Sequence, residues 1–244
     1  MKPDPVQSDL RQIDFIVVGA QKAGTTALFD YLGNHSQIGL SGEKEAHFFD
    51  DESQDWPTPD YEAYHRHFDW TALRIRGEVT PIYAYWPRSI ERIKVYNPAI
   101  KLIMLLRDPV ERAWSQWRME FDRGVETHDF GWCIRQGRQR LFEASPWGYH
   151  RGFSYVERGF YATQIARLRD YFPVKQLLII GANDLRLDPA MTLAKVTQFL
   201  GVGELDHTSA RLVHVGPNMG EMSQADHDYL RGIYAADQTR LRLF

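Results

Sequence analysis

Short, almost unbroken runs of aliphatic residues recur along the chain, and each is as long as a single strand. The clearest cover residues 13–18, 101–106 and 176–180, and residues 75–79 form a further candidate. Such runs are typical of strands that are buried on both faces of a parallel sheet. The pattern therefore predicts a buried sheet that contains these strands.

Apolar positions at helical spacing occupy the segments between the runs. Asp108 and Pro109 supply an N-cap and a first helical residue after the second run, and Asp188 and Pro189 do the same for a helix that Gly201 ends. Further helices are predicted after residue 26 and over residues 90–96, 161–172 and 223–243. Strands that alternate with helices predict an α/β fold, a P-loop-like three-layer arrangement with a central parallel sheet flanked by helices.

Two stretches, residues 50–70 and 145–155, lack clear periodicity and are predicted to be irregular. Both are rich in aromatic residues. Each either borders a substrate cleft or is an ordinary surface loop, and the sequence leaves both readings open.

The composition of the chain argues against several classes of protein. The chain has 244 residues and a net charge of −3, which argues against a protein that coats nucleic acid. Cys133 stands alone, so an intrachain disulfide is excluded and a structural role is its expected one. No apolar stretch is long enough for a membrane span, and the polar start lacks the apolar core of a signal peptide. We expect a cytoplasmic protein and leave its oligomeric state open.

Domain organisation follows from the same pattern. Residues 1–12 are polar, carry two prolines and are predicted to be a flexible tail. Residues 13–244 are predicted to be a single domain, because their length lies within what one hydrophobic core organises.

The first run leads into Gly-Ala-Gln-Lys-Ala-Gly-Thr-Thr, residues 19–26. A strand, a glycine-containing loop and a helix in succession present backbone N–H groups to a phosphate. The loop is not a Walker A motif, because Lys22 precedes Gly24 instead of following it. The alternative is a glycine turn with a structural role only.

The second run leads into Arg-Asp-Pro-Val-Glu-Arg-Ala-Trp-Ser, residues 107–115. Arg107 offers a fork of donors to a phosphate dianion, and the helix N-terminus adds a favourable dipole. The alternative is that Arg107 pairs with a carboxylate and Ser115 packs within the helix. Arg112 is expected to form a structural ion pair. The run of arginines over residues 135–140 is expected to be a solvated helix face rather than an anion site.

Together with Lys-Glu-Ala-His-Phe-Phe-Asp, residues 44–50, these motifs resemble the sulfotransferases that use PAPS (3′-phosphoadenosine 5′-phosphosulfate). Residues 44–50 are similar to a signature of the heparan-sulfate and carbohydrate branch and its bacterial relatives. The resemblance implies that a phosphosulfate loop holds the 5′-phosphosulfate through Gln21, Lys22, Ala23, Gly24, Thr25 and Thr26. It also implies that Arg107 and Ser115 hold the 3′-phosphate.

The same resemblance assigns the chemistry. It implies that Glu45 is the general base, with His47 and Asp50 lining the acceptor site, and that Lys22 stabilises charge on the leaving oxygen. A positioned carboxylate can accept the proton of an attacking alcohol in the transition state. The alternative for residues 43–45 is an exposed charged turn before a buried Phe48–Phe49 pair.

Softer matches extend the resemblance. The resemblance implies that Tyr83 contacts the acceptor and that Tyr161 approaches the nucleotide. Tyr161 also lies on an apolar helical stripe, so packing in the core explains it equally well. The branch has a lysine where this chain has Val79, which argues against a sulfated-glycan acceptor. Residues 213–222 lack the family's Lys-Gly-Arg loop, and His214 and Asn218 are candidates to replace it.

The predicted function is sulfuryl transfer from PAPS to a hydroxyl of a small molecule, natural product or glycoconjugate, with release of PAP. Lys22, Glu45 and His47 are the predicted catalytic residues, and an amine acceptor stays open. No metal is expected, because a sulfuryl group carries less charge than a phosphoryl group and has less need of a Mg²⁺ clamp. The alternatives are a P-loop kinase-like nucleotide phosphotransferase and a non-catalytic module that binds PAP or another nucleotide.

Overall fold

A computed structural model describes residues 11–72, 74–205 and 220–244. Within them a sheet of parallel strands runs in the order β2-β3-β1-β4-β5. The strands are β1 (Phe15–Gly19), β2 (Ile38–Leu40), β3 (Ile75–Val79), β4 (Lys101–Leu106) and β5 (Leu177–Gly181). The predicted α/β fold with a central parallel sheet is confirmed.

Helices flank this sheet. The α-helices of the described residues are α1 (Thr25–Gly33), α2 (Tyr61–His65), α3 (Ser89–Tyr96), α4 (Pro109–Asp122), α5 (Phe130–Cys133), α6 (Tyr161–Tyr171), α7 (Ala182–Leu187), α8 (Pro189–Leu200) and α9 (Gln224–Leu241). Short 3₁₀ segments cover Gln136–Phe142, Glu157–Gly159 and Val174–Gln176. In the described ranges no helix is both long and apolar enough to cross a membrane.

Strand β1 lies at the centre of the sheet, and each of its five residues is buried. Phe15 pairs with Gly77 of β3 on one side and with Lys101 of β4 on the other. A Cβ atom at Gly77 would lie 2.4 Å from the ring of Phe15, so only glycine allows this approach. Because β3, β1 and β4 are parallel neighbours, the segments that follow them meet at one edge of the sheet.

The predicted helix signals hold in the structure. The Asp108 carboxylate accepts hydrogen bonds from the backbone N–H groups of Val110 at 3.0 Å and Glu111 at 3.1 Å. Asp188 caps α8 in the same way, and Gly201 ends that helix with φ of 81°. Leu230 and Tyr234 of α9 are buried in a hydrophobic cluster that also contains residues of α4.

Two elements differ from expectation. Strand β2 was not predicted, because three residues with a central glycine carry no run long enough to recognise. The stretch 50–70 contains helix α2, which Asp60 caps through the N–H of Ala63 at 2.8 Å. The stretch 145–155 is irregular, as predicted. Of the predicted tail, residues 1–10 lie outside the described residues, as do His214 and Asn218.

Candidate active site

The predicted phosphosulfate loop, residues 21–26, connects β1 to α1 at the edge where β3 and β4 also end. Gly24 has φ of 92°, in the left-handed region, and forms the N-cap of α1 without a side-chain hydrogen bond. The N–H of Ala20 donates to the carbonyl of Leu105 at 2.8 Å and so anchors the start of the turn beside β4. The first N–H groups of α1 therefore point out of the sheet edge, as an anion site requires.

Lys22 points from this loop toward α4. Its Nζ lies 3.4 Å from Sδ of Met119, and its backbone has φ of 68°. Burial lowers the pKa of Lys22, and the charges of Arg123, Arg107 and Arg118 lower it further. The lysine thus stands in a cluster of positive charges, which an anionic ligand would relieve.

Arg107 follows β4 and contacts the same loop. Its Nη1 donates to the backbone carbonyl of Lys22 at 3.3 Å, and its Nη2 lies 3.5 Å from the half-exposed carboxylate of Glu111. The alternative pairing of Arg107 with a carboxylate is therefore observed, although an exposed pair of this kind contributes little free energy. Ser115 is half-buried and lies four residues before Met119, on the face of α4 that the Lys22 contact turns toward the loop.

Glu45 and His47 form the second part of the site. The N–H of Glu45 donates to the carbonyl of Val79 at 3.0 Å, which places the residue at the end of β3. Glu45 and His47 have φ of 65° and 54°, and with Lys22 they make three of the four non-glycine residues with positive φ in the described part of the chain. Such backbone strain clusters at functional sites.

A series of charged contacts joins Glu45 and His47 to their neighbours. Nε2 of His47 lies 3.5 Å from Oε2 of Glu45, and Nδ1 lies 3.0 Å from Oδ2 of Asp50. Nζ of Lys44 contacts Oε1 of Glu45. Arg151 donates to the Asp50 carboxylate and, at 2.5 Å, to the Asp50 carbonyl.

These contacts set the protonation states. Burial alone would raise the pKa of Glu45, but the hydrogen bond from His47 and the charge of Lys44 lower it to about 2. Hydrogen bonds to Asp50 and Glu45 raise the pKa of His47 to about 9. At neutral pH the site therefore holds an ionised Glu45 beside a protonated imidazole. The alternative of an exposed charged turn agrees with the structure only in part. Phe48 and Phe49 are buried, as it expects, but the carboxylate of Glu45 is paired with Lys44.

Two residues predicted to contact the acceptor are buried. Asp50 is 0 % exposed and holds His47 and Arg151. Tyr83 is 0 % exposed, and its hydroxyl lies 3.2 Å from Oε1 of Glu78. Both side chains are occupied by contacts within the protein, and their direct contact with the acceptor stays a prediction. They support the residues that line the site.

Glu78 is the centre of a buried network that the sequence did not reveal. Its carboxylate accepts hydrogen bonds from the hydroxyls of Tyr64 at 2.6 Å and Thr80 at 2.7 Å. Burial raises the pKa of Glu78 to about 7, although these hydrogen bonds act in the opposite direction. The network fixes the segment that follows β3, and with it the neighbourhood of Glu45.

Tyr161 opens α6 and is 1 % exposed. Burial raises the pKa of its hydroxyl to about 12, and the backbone of Arg107 opposes that shift. The packing that its apolar stripe predicted is therefore observed. The nucleotide contact implied by the resemblance stays a prediction, although the neighbouring Arg107 keeps Tyr161 close to the proposed site.

Arg158, three residues earlier, is 2 % exposed. Its Nη1 donates to Oε1 of Gln21, and its Nη2 donates to the carbonyl of Arg151 at 2.5 Å. Burial lowers its pKa to about 10. Arg158 is the first residue of the Arg-Gly-Phe-Tyr segment that the resemblance brings near the nucleotide, but nothing local distinguishes a buried arginine from an exposed one.

A cavity of about 540 Å³ opens beside this cluster. Aromatic and charged side chains of the 145–155 stretch and its neighbours line it, among them Trp86, Arg140, Tyr149, His150, Arg151 and Phe153. The guanidinium of Arg151 stacks on Trp86 at 4.5 Å and reaches Asp50. The cavity therefore adjoins the Glu45–His47–Asp50 chain, and the 145–155 stretch borders it.

Other charged residues have structural partners. Arg112 is fully buried and donates to Gln116 at 2.8 Å and to the carbonyl of Tyr155. Its hydrogen bonds to the described residues thus go to neutral oxygens, and the expected ion pair is not observed among them. The arginines of residues 135–140 are not simply solvated, because they pair with carboxylates: Arg135 with Asp226, Arg138 with Glu157 and Arg140 with Glu126. Cys133 is buried, and burial raises its pKa.

Comparison with known proteins shows which family this chain resembles. The family model of the sulfotransferase domain matches residues 12–214. The chain is 30% identical over 189 residues to human heparan sulfate glucosamine 3-O-sulfotransferase 3B1, covering 77% of this chain and 45% of that protein. It is 28% identical over 205 residues to bifunctional heparan sulfate N-deacetylase/N-sulfotransferase 1 of Xenopus laevis, covering 77% of this chain and 22% of that protein.

Among solved structures, a sulfotransferase from Alicyclobacillus acidocaldarius superposes with a TM-score of 0.78 at 29% identity. That match covers 96% of this chain and 95% of the other. The chain spans less than half the length of the curated relatives named above, but nearly all of this bacterial protein.

Proposed function

Because the chain belongs to the sulfotransferase domain family, a family of transferases, we propose that it transfers a sulfuryl group from PAPS to an acceptor hydroxyl and releases PAP. One observation carries the proposal. The segments after β1, β2 and β4 bring a loop that carries Lys22, the ionised carboxylate of Glu45 and the strand-end Arg107 to the same sheet edge.

The residues present fit a donor with anionic groups at two ends. Lys22 and Arg107 are cations whose pKa values burial lowers, so each gains from a negative partner. Buried Nε of Arg158 has no hydrogen-bond partner in the described residues. Gln21 to Thr26 fit the 5′-phosphosulfate, and Arg107 with Ser115 fits the 3′-phosphate.

PAPS supplies an activated sulfuryl group when it is bound. Glu45 accepts the proton of the acceptor hydroxyl as the oxygen attacks. Lys22 donates a hydrogen bond toward the oxygen that becomes negative as the nucleotide leaves. Arg107 and Ser115 orient the nucleotide and make no bond to the reacting atoms.

The low pKa of Glu45 defines when it can act. A carboxylate with a pKa of about 2 is ionised at neutral pH but is a weak base. Proton transfer to it becomes favourable only as the attacking oxygen bonds to sulfur and grows acidic. Departure of Lys44 when the acceptor binds would strengthen the base, because Lys44 lowers the pKa of Glu45.

The acceptor is proposed to occupy the cavity beside Arg151. Its volume of about 540 Å³ suits a small molecule or one or two sugar units. The aromatic walls of Trp86, Tyr149 and Phe153 favour a flat apolar face, such as that of a phenol or a sugar ring. Val79, where the heparan-sulfate branch has a lysine, is 0 % exposed and adds no positive charge for a sulfated glycan.

Incubation of the protein with labelled PAPS and a panel of phenols, sugars and amines tests the proposal by mass shift of the acceptor. We expect the label on at least one hydroxyl compound, together with free PAP. PAP binding without transfer to any acceptor would identify a binding module instead. Mg²⁺-dependent transfer of phosphate from ATP, without PAP binding, would identify a nucleotide phosphotransferase.

A further inference from the structure

Arg158 is a buried cation that forms no hydrogen bond to a carboxylate among the described residues. Its side chain is 2 % exposed, and within the described residues its hydrogen bonds go to neutral oxygens. These oxygens belong to the side chain of Gln21 and to the carbonyls of Arg151 and His150. A buried charge is costly unless it is paired, and the carboxylates of Glu120 and Glu45 act on this guanidinium without a hydrogen bond to it. The arrangement therefore leaves a direct anionic partner to be supplied from outside the chain.

The guanidinium lies where such a charge is expected. Nη1 contacts Gln21, the first residue of the phosphosulfate loop, and Nη2 contacts the 145–155 stretch that borders the cavity. The charge of Glu45 also acts on Arg158. Arg158 therefore stands between the donor loop, the candidate base and the cavity.

One donor atom of this guanidinium is unused. Nε of Arg158 is buried and has no hydrogen-bond partner among the described residues. Other buried arginines in the described part of the chain also have an Nε without a partner, so the free donor supports a ligand only together with the position of Arg158 beside Gln21. The ring of Tyr85, 5.1 Å from the guanidinium, contributes a cation–π contact but no hydrogen-bond acceptor for Nε.

We propose that Arg158 is a binding residue for the 5′-phosphosulfate end of the donor. The inference rests on the proposed function and adds a cation to which the family resemblance assigned no role. Arg158 neutralises charge at the 5′ end, while Arg107 serves the 3′-phosphate at the end of β4. A purely structural Arg158, which only joins the two loops, is the competing explanation.

The affinities of the protein for two nucleotides distinguish a binding role of Arg158 from a structural one. PAP carries phosphates at both ends, whereas adenosine 3′-monophosphate lacks the 5′-phosphate. Calorimetric affinities for both are measured with the wild-type protein, Arg158→Gln, Arg158→Lys and the control Arg138→Gln. Arg138 is a nearby arginine that pairs with Glu157 at 2.8 Å.

We expect Arg158→Gln to weaken PAP binding by about 10- to 100-fold, the range of a charge-assisted hydrogen bond. Binding of adenosine 3′-monophosphate should change by less than about threefold, since it offers no 5′-phosphate to lose. Arg158→Lys keeps the charge and should recover most of the PAP affinity. Arg138→Gln should leave both affinities unchanged.

Equal losses for the two nucleotides, or no loss for either, would overturn the assignment in favour of a structural role. If the wild-type protein fails to bind PAP, the proposed function itself fails. Thermal unfolding checks that each variant is folded. If the variants do not fold, a crystal structure of the wild-type protein with PAP decides: a guanidinium in hydrogen-bond contact with the 5′-phosphate supports the proposal, and a separated one refutes it.

Discussion

Replacing His47 with glutamine removes a cation that touches both Glu45 and Asp50. The imidazole lies 3.5 Å from the Glu45 carboxylate and 3.0 Å from the Asp50 carboxylate. Glutamine keeps a polar side chain of similar reach but cannot carry a positive charge. The substitution therefore isolates the contribution of the charge to the free energy of unfolding.

The size of that contribution follows from the pKa of His47. Folding raises it from 6.5 to about 9, and at 1.36 kcal/mol for each unit this gives an upper limit of about 3.4 kcal/mol. The side chain is 44% exposed, so solvent screening reduces the expected value to about 1 kcal/mol. Because folding raises the pKa, the stabilisation is complete below pH 6.5 and is lost as the pH rises through 9.

Urea unfolding between pH 6 and 10 measures this effect. The difference in unfolding free energy between the wild-type protein and His47→Gln should be about 1 kcal/mol at pH 6 and close to zero at pH 10. His67→Gln, a change at an exposed histidine outside the cluster, serves as the control. A difference that does not vary with pH, or that grows toward pH 10, would refute the reasoning.

Three further predictions concern single residues. Lys44→Gln should raise the pKa of Glu45, so the acid limb of the kcat/KM profile moves to higher pH; an unmoved limb contradicts the pairing. Gly77→Ala should destabilise the protein by about 1–3 kcal/mol in urea unfolding, because its Cβ would meet Phe15 at 2.4 Å; a neutral effect contradicts the close packing. Asp108→Ala should cost about 1 kcal/mol in the same assay through loss of the α4 N-cap, and Asp108→Asn should restore most of it.

Local signals made much of the fold predictable. The apolar run of β4 was predicted with its observed bounds, and Asp108 with Pro109 marked the start of α4. These signals lie within a few residues of one another, so no tertiary information is needed to read them. Strand β2 was missed because its three residues take their strand conformation from pairing with β3.

The candidate site was predictable in its residues but less so in its geometry. Motif resemblance pointed to Glu45 and His47, and the structure joins them through charged contacts. It also pointed to Tyr83, whose buried hydroxyl lies against Glu78, a contact that only the folded structure reveals. Burial of a side chain depends on segments far away in sequence, which is why Arg158, held by Gln21 across 137 residues, could not be assigned a role from its motif alone.

The most direct test of the account compares Glu45→Gln with the wild-type protein in sulfuryl transfer from PAPS and in PAP binding. Glu43→Gln, an exposed carboxylate two residues away, is the matched control. We expect Glu45→Gln to lower the transfer rate by about 10²- to 10⁴-fold while PAP affinity stays nearly constant, and Glu43→Gln to change neither. Normal turnover by Glu45→Gln would contradict the assignment of Glu45 as the base.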